Sequence, residues 1–294
     1  MRYGLPYKGS KNKIAKWVVD KLPKAETFVD LFFGGGAITH RAMLTGKYKR
    51  FIVNDIDARL PKLFLDCAYG KYTVENHPEW ISREEFNAKK TDDAYIALVW
   101  SFGNNGKDYL YGKSIENMKR AYHKAIYEGD MEALKPYGYT LSKSDKKNVY
   151  DRYLDYQRQI KKQNPQIQLE VVTRQTEIEC LQSLQSLQSY GIDYQEVPIP
   201  DNALIYCDIP YANTNCGKYN NFNHERFYEW AEKQNNIFIS EYWMPDNFIE
   251  IARIEKIILS TGHGNSNKAI EKIFTNKLTY DRLEDIRKER INGL

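Results

Sequence analysis

The clearest candidate for chemistry is the tetrapeptide Asp208-Ile209-Pro210-Tyr211, which follows an apolar run at residues 203–207. That run predicts a buried strand. A carboxylate and a backbone carbonyl that accept hydrogen bonds from the amino group of a nucleobase would turn its nitrogen toward sp³ geometry, so that its lone pair can attack a methyl group. Asp208 offers the carboxylate and Ile209 the carbonyl. Pro210 stiffens the turn, and the ring of Tyr211 can stack on a base flipped out of a duplex.

A glycine turn is the second candidate site, and it follows a predicted buried strand at residues 27–32. Its members are Gly34, Gly35 and Gly36. Ligands of open α/β sheets bind at this place, where glycines let them approach the backbone. Asp30 would repel a pyrophosphate but suits a ligand with a positive amino group, and Asp55 lies where an acid can bond ribose hydroxyls. An ammonium, a sulfonium and a ribose occur together in S-adenosylmethionine, which the turn therefore favours.

Two other nucleotide-binding motifs fit the sequence less well. A nicotinamide-dependent dehydrogenase is disfavoured, because Thr39 stands where a dinucleotide fingerprint has its third glycine. A P-loop ending at Gly112-Lys113-Ser114 fails, because Lys107 stands at the position of its first glycine.

The elements that must hold both motifs alternate between strands and helices. Strands predicted at residues 27–32 and 50–54 flank a helix and form a βαβ unit, whose strands are parallel. Further strands are predicted at residues 192–197, 203–207, 236–240, 254–259 and 277–280. The pattern predicts an α/β, Rossmann-like core, a mostly parallel sheet with helices on both faces.

A long helical segment interrupts this pattern. Residues 66–190 are rich in Lys, Asn, Gln and Tyr, so we expect a core at 1–65 and 191–294 with an inserted, mainly helical domain at 66–190. Within it, residues 181–189 repeat Leu-Gln-Ser, whose three-residue spacing drifts around an α-helix and yields no assignment.

Composition narrows the class of protein. The 294 residues are 42% hydrophobic and 28% charged, as in soluble globular proteins, and the net charge of +4 does not by itself require a nucleic acid. No apolar run is long enough to predict a transmembrane helix. The four cysteines form no CxxC pair, so no metal site is expected. We expect a cytoplasmic protein.

Three motifs together resemble the Dam-type (D12, alpha-group) class of DNA adenine-N6 methyltransferases. They are Tyr7-Lys8-Gly9-Ser10-Lys11, the segment from Asp30 to Gly36, and Asp208 to Tyr211. The resemblance implies methyl transfer from S-adenosylmethionine to adenine N6 in a short duplex sequence, with base flipping. It also implies that the target-recognition domain lies between the cofactor motif and the catalytic motif. The further cofactor contacts expected are Tyr7, Gly9, Ser10, Lys11, Phe32, Ile56, Asp193 and Asp208.

The insert is expected to read double-stranded DNA. Basic side chains would neutralise phosphates, amides would reach base edges, and tyrosines would stack or fill the gap left by the flipped base. The basic candidates are Lys107, Lys113, Lys119 and Arg120, the amides are Asn104 and Asn105, and the aromatic candidates are Tyr109, Tyr111 and Tyr122.

Two alternatives stay open beside this reading. Ile209 stands where the family usually has proline, and Asn-Ile-Pro-Tyr is typical of rRNA adenine dimethyltransferases; Asp208 and the long insert argue against that family. A catalytically silent DNA-binding relative is disfavoured by the intact motifs. The resemblance leaves open whether a cognate restriction endonuclease is a partner and whether the host cell is bacterial or phage-infected. It assigns no oligomeric state.

Overall fold

The computed structural model describes residues 3–72, 79–167, 182–212, 221–259 and 266–292. The chain divides into two compact units. The first unit comprises Met1–Gly4, Lys11–Lys62 and Leu181–Leu294, and the second comprises Leu5–Ser10 and Leu63–Cys180. The glycine turn and the Asp208 tetrapeptide both belong to the first unit.

A seven-stranded sheet forms the first unit. In chain order its strands are β1 (Thr27–Asp30), β2 (Arg50–Asn54), β3 (Leu187–Tyr190), β4 (Leu204–Cys207), β5 (Ile237–Glu241), β6 (Phe248–Leu259) and β7 (Ser266–Asn276). Their spatial order is β3-β2-β1-β4-β5-β7-β6. β7 pairs antiparallel with both β5 and β6, and the other pairings are parallel. The predicted mostly parallel sheet and α/β class are confirmed.

The central strands are buried along most of their length, as expected for parallel strands covered on both faces. All four residues of β1 and of β4 are buried. Val29, Ile52, Ile205 and Ile239 come from four neighbouring strands and belong to one core cluster. This packing fixes the carboxyl ends of β1, β2 and β4 beside one another.

Helices connect the strands. They are α1 (Ala15–Lys21), α2 (Ala37–Met43), α3 (Arg59–Ala68), α4 (Arg83–Lys89), α5 (Ala94–Val99), α6 (Lys113–Tyr127), α7 (Val149–Gln163), α8 (His224–Ala231) and α9 (Lys277–Asn292). The unit boundary falls within α3. Among the described helices, none is long and apolar enough to span a membrane.

The second unit is helical wherever the structure assigns it regular elements, from α4 to α7. Its helices begin at clear caps: Ser82 and Glu85 form a capping box at α4, and Asn148 caps α7. Tyr122, Ile126, Tyr156 and other apolar residues of α6 and α7 form its own core cluster. The inserted segment is therefore mainly helical, as predicted.

The strand predicted at residues 192–197 is wrong. The strand at this sheet edge is β3, five residues earlier, and it arises from the Leu-Gln-Ser repeat that the sequence analysis placed in the insert. The pairing stops because the side chain of Asn54 donates to the carbonyl of Ile192 (3.1 Å) and accepts from its N–H (3.1 Å), which turns the chain. Asp193 then caps a 3₁₀ turn at Tyr194–Glu196.

The strand predicted at residues 277–280 is also wrong, because these residues form the first turn of α9. Asn276 ends β7 and begins the helix: its side chain accepts from the N–H of Thr279 (2.9 Å) and donates to the carbonyl of Ala231 (2.7 Å). The last strand, β7, was not predicted, and β6 begins at Phe248 instead of residue 254.

Candidate active site at the carboxyl ends of the central strands

Three acidic residues converge where three adjacent parallel strands end. Asp30 is the last residue of β1, Asp55 directly follows β2, and Asp208 directly follows β4. The charges of Asp55 and Asp208 both raise the pKa of Asp30, which places the three carboxyl groups within electrostatic reach. The structure therefore brings the two sequence motifs together at one edge of the sheet.

The glycine turn is a rigid loop that needs its glycines. Gly34 and Gly36 have φ of 51° and 70°, in the left-handed region that favours glycine. A Cβ at position 36 would lie 2.3 Å from the ring of Phe33, and one at Gly4 would lie 2.3 Å from the carbonyl oxygen of Gly35. The turn is thus packed on both sides and leaves its backbone close to any ligand at the strand ends.

Asp30 is buried and carries an unsatisfied oxygen. Its Oδ2 accepts a hydrogen bond from the hydroxyl of Thr39 (2.7 Å), while no donor among the described residues reaches Oδ1 with hydrogen-bond geometry. Burial raises the pKa of Asp30 to about 7, the Thr39 bond opposes the shift, and the nearby carboxylates add to it. Thr39, which the sequence analysis noted only as a missing glycine, orients this acid from the first turns of α2.

Asp55 braces the glycine turn. Its Oδ2 accepts from the N–H of Gly34 (2.8 Å) and its Oδ1 from the N–H of Asp57 (2.9 Å). Beside it, Ile56 is a large apolar side chain that is 64% exposed. The predicted ribose contact of Asp55 and the cofactor contact of Ile56 stay predictions.

Lys11 lies at the centre of a buried polar cluster, which we call the lysine cluster: Lys11, Asp208, Tyr211 and Glu271. Lys11 Nζ lies 2.7 Å from Asp208 Oδ1 and 3.4 Å from Glu271 Oε1, and it also donates to the hydroxyl of Tyr211. That hydroxyl donates to Glu271. Burial lowers the pKa of Lys11, but the two carboxylates outweigh it and the net shift is upward. Lys11 is therefore held as an ammonium beside Asp208.

Glu271 was not predicted as a site residue. It lies on β7, which the sequence analysis missed, and its side chain is fully buried. Its signal was the strand alternation, because Glu271 shares a face with the buried Ile273 and Thr275. An acid in that position on a buried face indicates a partner elsewhere in the fold.

The rest of the tetrapeptide is anchored from two sides. Ile209 is buried, and the carbonyl of Pro210 accepts a hydrogen bond from His224 Nε2 (2.7 Å) at the start of α8. The ring of Tyr211 packs nearly perpendicular to that of Tyr242, with 4.5 Å between the ring centroids. These contacts fix the backbone of the tetrapeptide and the plane of the Tyr211 ring.

Glu241, at the end of β5, holds the chain just after the tetrapeptide. Its carboxylate accepts from the N–H of Ala212 (2.6 Å) and from its neighbour Tyr242. Burial raises the pKa of Glu241 to about 7, although these backbone bonds oppose the shift. The sequence offered no motif for Glu241, because its partner lies 29 residues away.

The remaining predicted cofactor residues occupy defined local structures. Tyr7, Gly9 and Ser10 form a turn in the second unit, in which the N–H of Ser10 donates to the carbonyl of Tyr7 (3.1 Å) and Gly9 has φ of 84°. Phe32 packs edge-on against Phe222, with 5.5 Å between the centroids. Their contacts with a cofactor stay predictions.

Asp193 was predicted as a cofactor contact, and its carboxylate faces an arginine. Both of its oxygens accept from the guanidinium of Arg226, at 2.8 and 3.2 Å, and one also accepts from the N–H of Gln195 (3.0 Å). The bond from the N–H of Gln195 places Asp193 at the cap of the 3₁₀ turn. A cofactor contact for Asp193 stays a prediction that must compete with this ion pair.

Four of the predicted DNA contacts are buried residues of the second unit. The rings of Tyr109, Tyr111 and Tyr122 are buried in the second unit, and the hydroxyl of Tyr109 donates to the carbonyl of Ile81 (2.6 Å). Lys119 is buried with its Nζ 5.7 Å from the ring centroid of Tyr111. These side chains pack the interior of the unit, and their DNA contacts stay predictions that must compete with this burial.

The loop around residue 104 uses its amides internally. The side chain of Asn104 donates to the carbonyl of Leu98 (2.7 Å), and that of Asn105 donates to Asp108 (2.8 Å). Lys107, Lys113 and Arg120 are exposed. Their DNA contacts, and those of the two amides, stay predictions.

Lys113 and Arg120 line one cavity of about 350 Å³, within the second unit. Trp80 and Arg83 contribute to the same wall, and Arg83 is paired with Glu116 (2.8 Å). Acidic side chains line the same cavity, so its wall carries charges of both signs beside an aromatic ring.

Comparison with known proteins gives the family. The family model described as "D12 class N6 adenine-specific DNA methyltransferase" matches residues 7–242. The match includes the glycine turn, the whole helical insert and the Asp208 tetrapeptide. A search of curated proteins found no match. Since the model covers most of the chain, this protein belongs to the D12 class of N6 adenine-specific DNA methyltransferases.

Proposed function

We propose that this chain transfers a methyl group from S-adenosylmethionine to adenine N6 within a short sequence of duplex DNA, with the target base flipped out of the helix. One observation carries the proposal. Adjacent parallel strands β1 and β4 place Asp30 with its glycine turn beside the Asp208 tetrapeptide, with Asp30 in register with Tyr206. The proposed cofactor site and the proposed amine-binding site thus share one edge of the sheet.

The site has the chemistry that the methyl donor requires. Asp30 Oδ1 is buried and lacks a donor among the described residues, so an ammonium group would satisfy it. The glycine turn gives close backbone access, and the exposed Ile56 could cover an adenine ring. When bound, S-adenosylmethionine supplies an electrophilic methyl group on a cationic sulfur. A site rich in carboxylates favours such a cation.

The residues of the tetrapeptide have separate proposed tasks. Asp208 accepts a hydrogen bond from the target amino group and is the nearest base for the proton which that nitrogen loses. The Ile209 carbonyl is the second acceptor. The carbonyl of Pro210 is held by His224, which keeps the turn rigid. The ring of Tyr211, fixed by its hydroxyl and by Tyr242, is the stacking surface for the base.

Substitution of Asp208 tests this proposal. Asp208→Ala removes the acceptor, so methyl incorporation into DNA should fall by roughly 10²- to 10⁴-fold. DNA binding should remain largely intact, because only the hydrogen bond to the flipped base is lost and the proposed contacts of the insert are kept. Asp20→Ala, at an exposed acid on α1, is the control and should retain full turnover. Normal turnover by Asp208→Ala would refute the mechanism, and a wild type that binds DNA without methylating it would favour the catalytically silent alternative.

The proposed partner is double-stranded DNA, and we place the chain in the compartment that holds it, the cytoplasm of a bacterial or phage-infected cell. Coexpression of this chain with a candidate restriction endonuclease tests whether the two are partners. If one is, host DNA that carries the endonuclease site should resist cleavage only when this chain is active.

A further inference from the structure

Two carboxylates, a partly buried one on Asp208 and a fully buried one on Glu271, share one ammonium in the lysine cluster. Asp208 Oδ1 lies 2.7 Å from Lys11 Nζ, which already gives Lys11 a close partner. Glu271 Oε1 lies 3.4 Å from the same nitrogen, and its side chain is fully buried. Burying a second anion costs free energy, because the anion loses its contacts with water. Glu271 therefore calls for an explanation beyond neutralising Lys11.

The charge balance of the lysine cluster suggests that task. With both carboxylates ionised, one ammonium and two carboxylates give a net charge of −1. Without Glu271, the ammonium of Lys11 would cancel the charge of Asp208. The proposed reaction moves a positive charge from the sulfur of the methyl donor to the amino nitrogen of the base. A net negative cluster stabilises that charge along the whole path.

We propose that Glu271 is a positioning residue for methyl transfer: it holds Lys11 and the Tyr211 hydroxyl, and it pairs with Lys11 so that the charge of Asp208 stays available to the cationic donor and acceptor. This inference rests on the proposed function. The nitrogen–methyl bond forms as the sulfur–methyl bond breaks, and the amino proton leaves by way of Asp208. Glu271 gains and loses no bond.

The contacts of Tyr211 support this role. Its hydroxyl lies between Lys11, from which it accepts, and Glu271, to which it donates. Lys11 Nζ also lies 4.4 Å from the centroid of its ring. Glu271 thus contacts two side chains from two different segments of the chain, Lys11 near the first helix and Tyr211 at the end of the tetrapeptide. A ring held in this way is organised before the base arrives.

Equilibrium binding separates a charge role from a structural one. S-adenosylmethionine carries a cationic sulfur, and S-adenosylhomocysteine has the same frame with a neutral sulfur. Glu271→Gln should weaken the binding of S-adenosylmethionine by about tenfold, which is the size of one charge interaction in a partly shielded site. Binding of S-adenosylhomocysteine should change far less. The control is Glu250→Gln on β6, whose acid pairs with Arg253 and Lys272, and it should change neither affinity.

A second variant restores the charge balance. Lys11→Met with Glu271→Gln removes one positive and one negative charge, so the cluster keeps a net charge of −1. The preference for S-adenosylmethionine over S-adenosylhomocysteine should return toward the wild-type ratio, even though both hydrogen-bonding partners are altered. A purely structural role predicts that the double variant is worse than either single variant. That result would overturn the proposal.

Turnover provides the last readout. Glu271→Gln should lower kcat for DNA methylation and leave the KM for DNA unchanged, whereas Glu271→Asp, which keeps the charge, should recover part of kcat. If Glu271→Gln fails to fold in a thermal melt, Glu271→Asp and the double variant carry the test. A wild type that neither binds S-adenosylmethionine nor methylates DNA would refute the proposed function itself. A Glu271→Gln variant equal to the wild type would refute only this inference.

Discussion

At the scale of single residues, Asp30 shows how the fold prepares a charged site at a cost to itself. Its carboxyl group is buried, and burial raises its pKa to about 7 from an ordinary value of 3.8. Between these values the folded chain binds more protons than the unfolded chain. The free energy of unfolding therefore falls as the pH rises through this range, and the full penalty is present above pH 7. A cationic ligand beside Asp30 would offset this penalty.

Binding of S-adenosylmethionine should accordingly be linked to a proton. A cation beside Asp30 favours the ionised carboxylate, so binding should release protons between about pH 4 and pH 7 and affinity should rise with pH over that window. Above pH 7 the affinity should level off. Titration calorimetry in buffers with different ionisation enthalpies measures the released protons.

Two variants identify the source of those protons. Asp30→Asn should weaken binding and remove its share of the proton release, and it should stabilise the ligand-free chain above pH 7. Glu241→Gln is the matched control, because its acid has a pKa near the same value but faces backbone N–H groups. Glu241→Gln should keep the part of the proton release that comes from Asp30. An unchanged pH dependence in Asp30→Asn would contradict this assignment.

At the scale of elements, the glycine turn between β1 and α2 restricts substitution by both backbone conformation and packing. Gly36→Ala would force alanine into φ of 70° and push its Cβ to 2.3 Å from the Phe33 ring. Gly46→Ala has a similar φ of 65° with nothing within 4 Å of the added atom. The two positions differ in packing and share the same backbone strain.

Unfolding in urea should separate these two effects. Gly46→Ala should cost about 1–2 kcal/mol, from the left-handed backbone alone. Gly36→Ala should cost about 1–3 kcal/mol more, from overpacking against a buried ring, and should also weaken S-adenosylmethionine binding. Equal losses of stability in the two variants would show that the turn tolerates a side chain and is less tightly packed than described.

Elements with uniform apolar runs could be predicted from the sequence, and elements that depend on a partner could not. β1, β2, β4 and β5 each contain a run of buried apolar residues, so the local pattern sufficed. β3 is a polar edge strand whose place is decided by Asn54 and Ile192, residues 138 positions apart. The beginning of α9 likewise depends on Asn276 bonding to α8.

The residues of the candidate site also divide into those that the sequence could predict and those that it could not. Asp30, the glycines and the Asp208 tetrapeptide were found because each lies in a contiguous motif. Thr39, Glu241 and Glu271 were not, because their roles appear only when distant strands meet: Glu271 contacts Lys11 from the other end of the chain. The sequence also did not show that Tyr109 and Tyr122, two proposed DNA contacts, are buried.

At the scale of the whole molecule, the net charge is only +4, although the proposed partner is DNA. The exposed Lys113 and Arg120 face one cavity of the second unit, whereas Lys119 is buried. DNA affinity should therefore depend on a few exposed cations of this unit, since each neutralised phosphate contributes to counterion release.

Salt titration tests this distribution of charge. Arg120→Ala and Lys113→Ala should each weaken duplex binding and reduce the slope of log affinity against log salt by about one. Lys119→Met, which keeps an apolar stem beside Tyr111, should leave the slope unchanged. A slope change for Lys119→Met, or none for the two exposed residues, would place the DNA on another surface.

The central claim, adenine N6 methylation from S-adenosylmethionine, is tested most directly by identifying the product. Duplex DNA is incubated with the chain and S-adenosylmethionine carrying an isotope-labelled methyl group, digested to nucleosides and analysed by mass spectrometry. We expect labelled N6-methyladenine with a single methyl group, formed by the wild type and lost in Asp208→Ala. Label on cytosine, labelled dimethyladenine formed in rRNA instead of DNA, or no labelled nucleoside at all would contradict it.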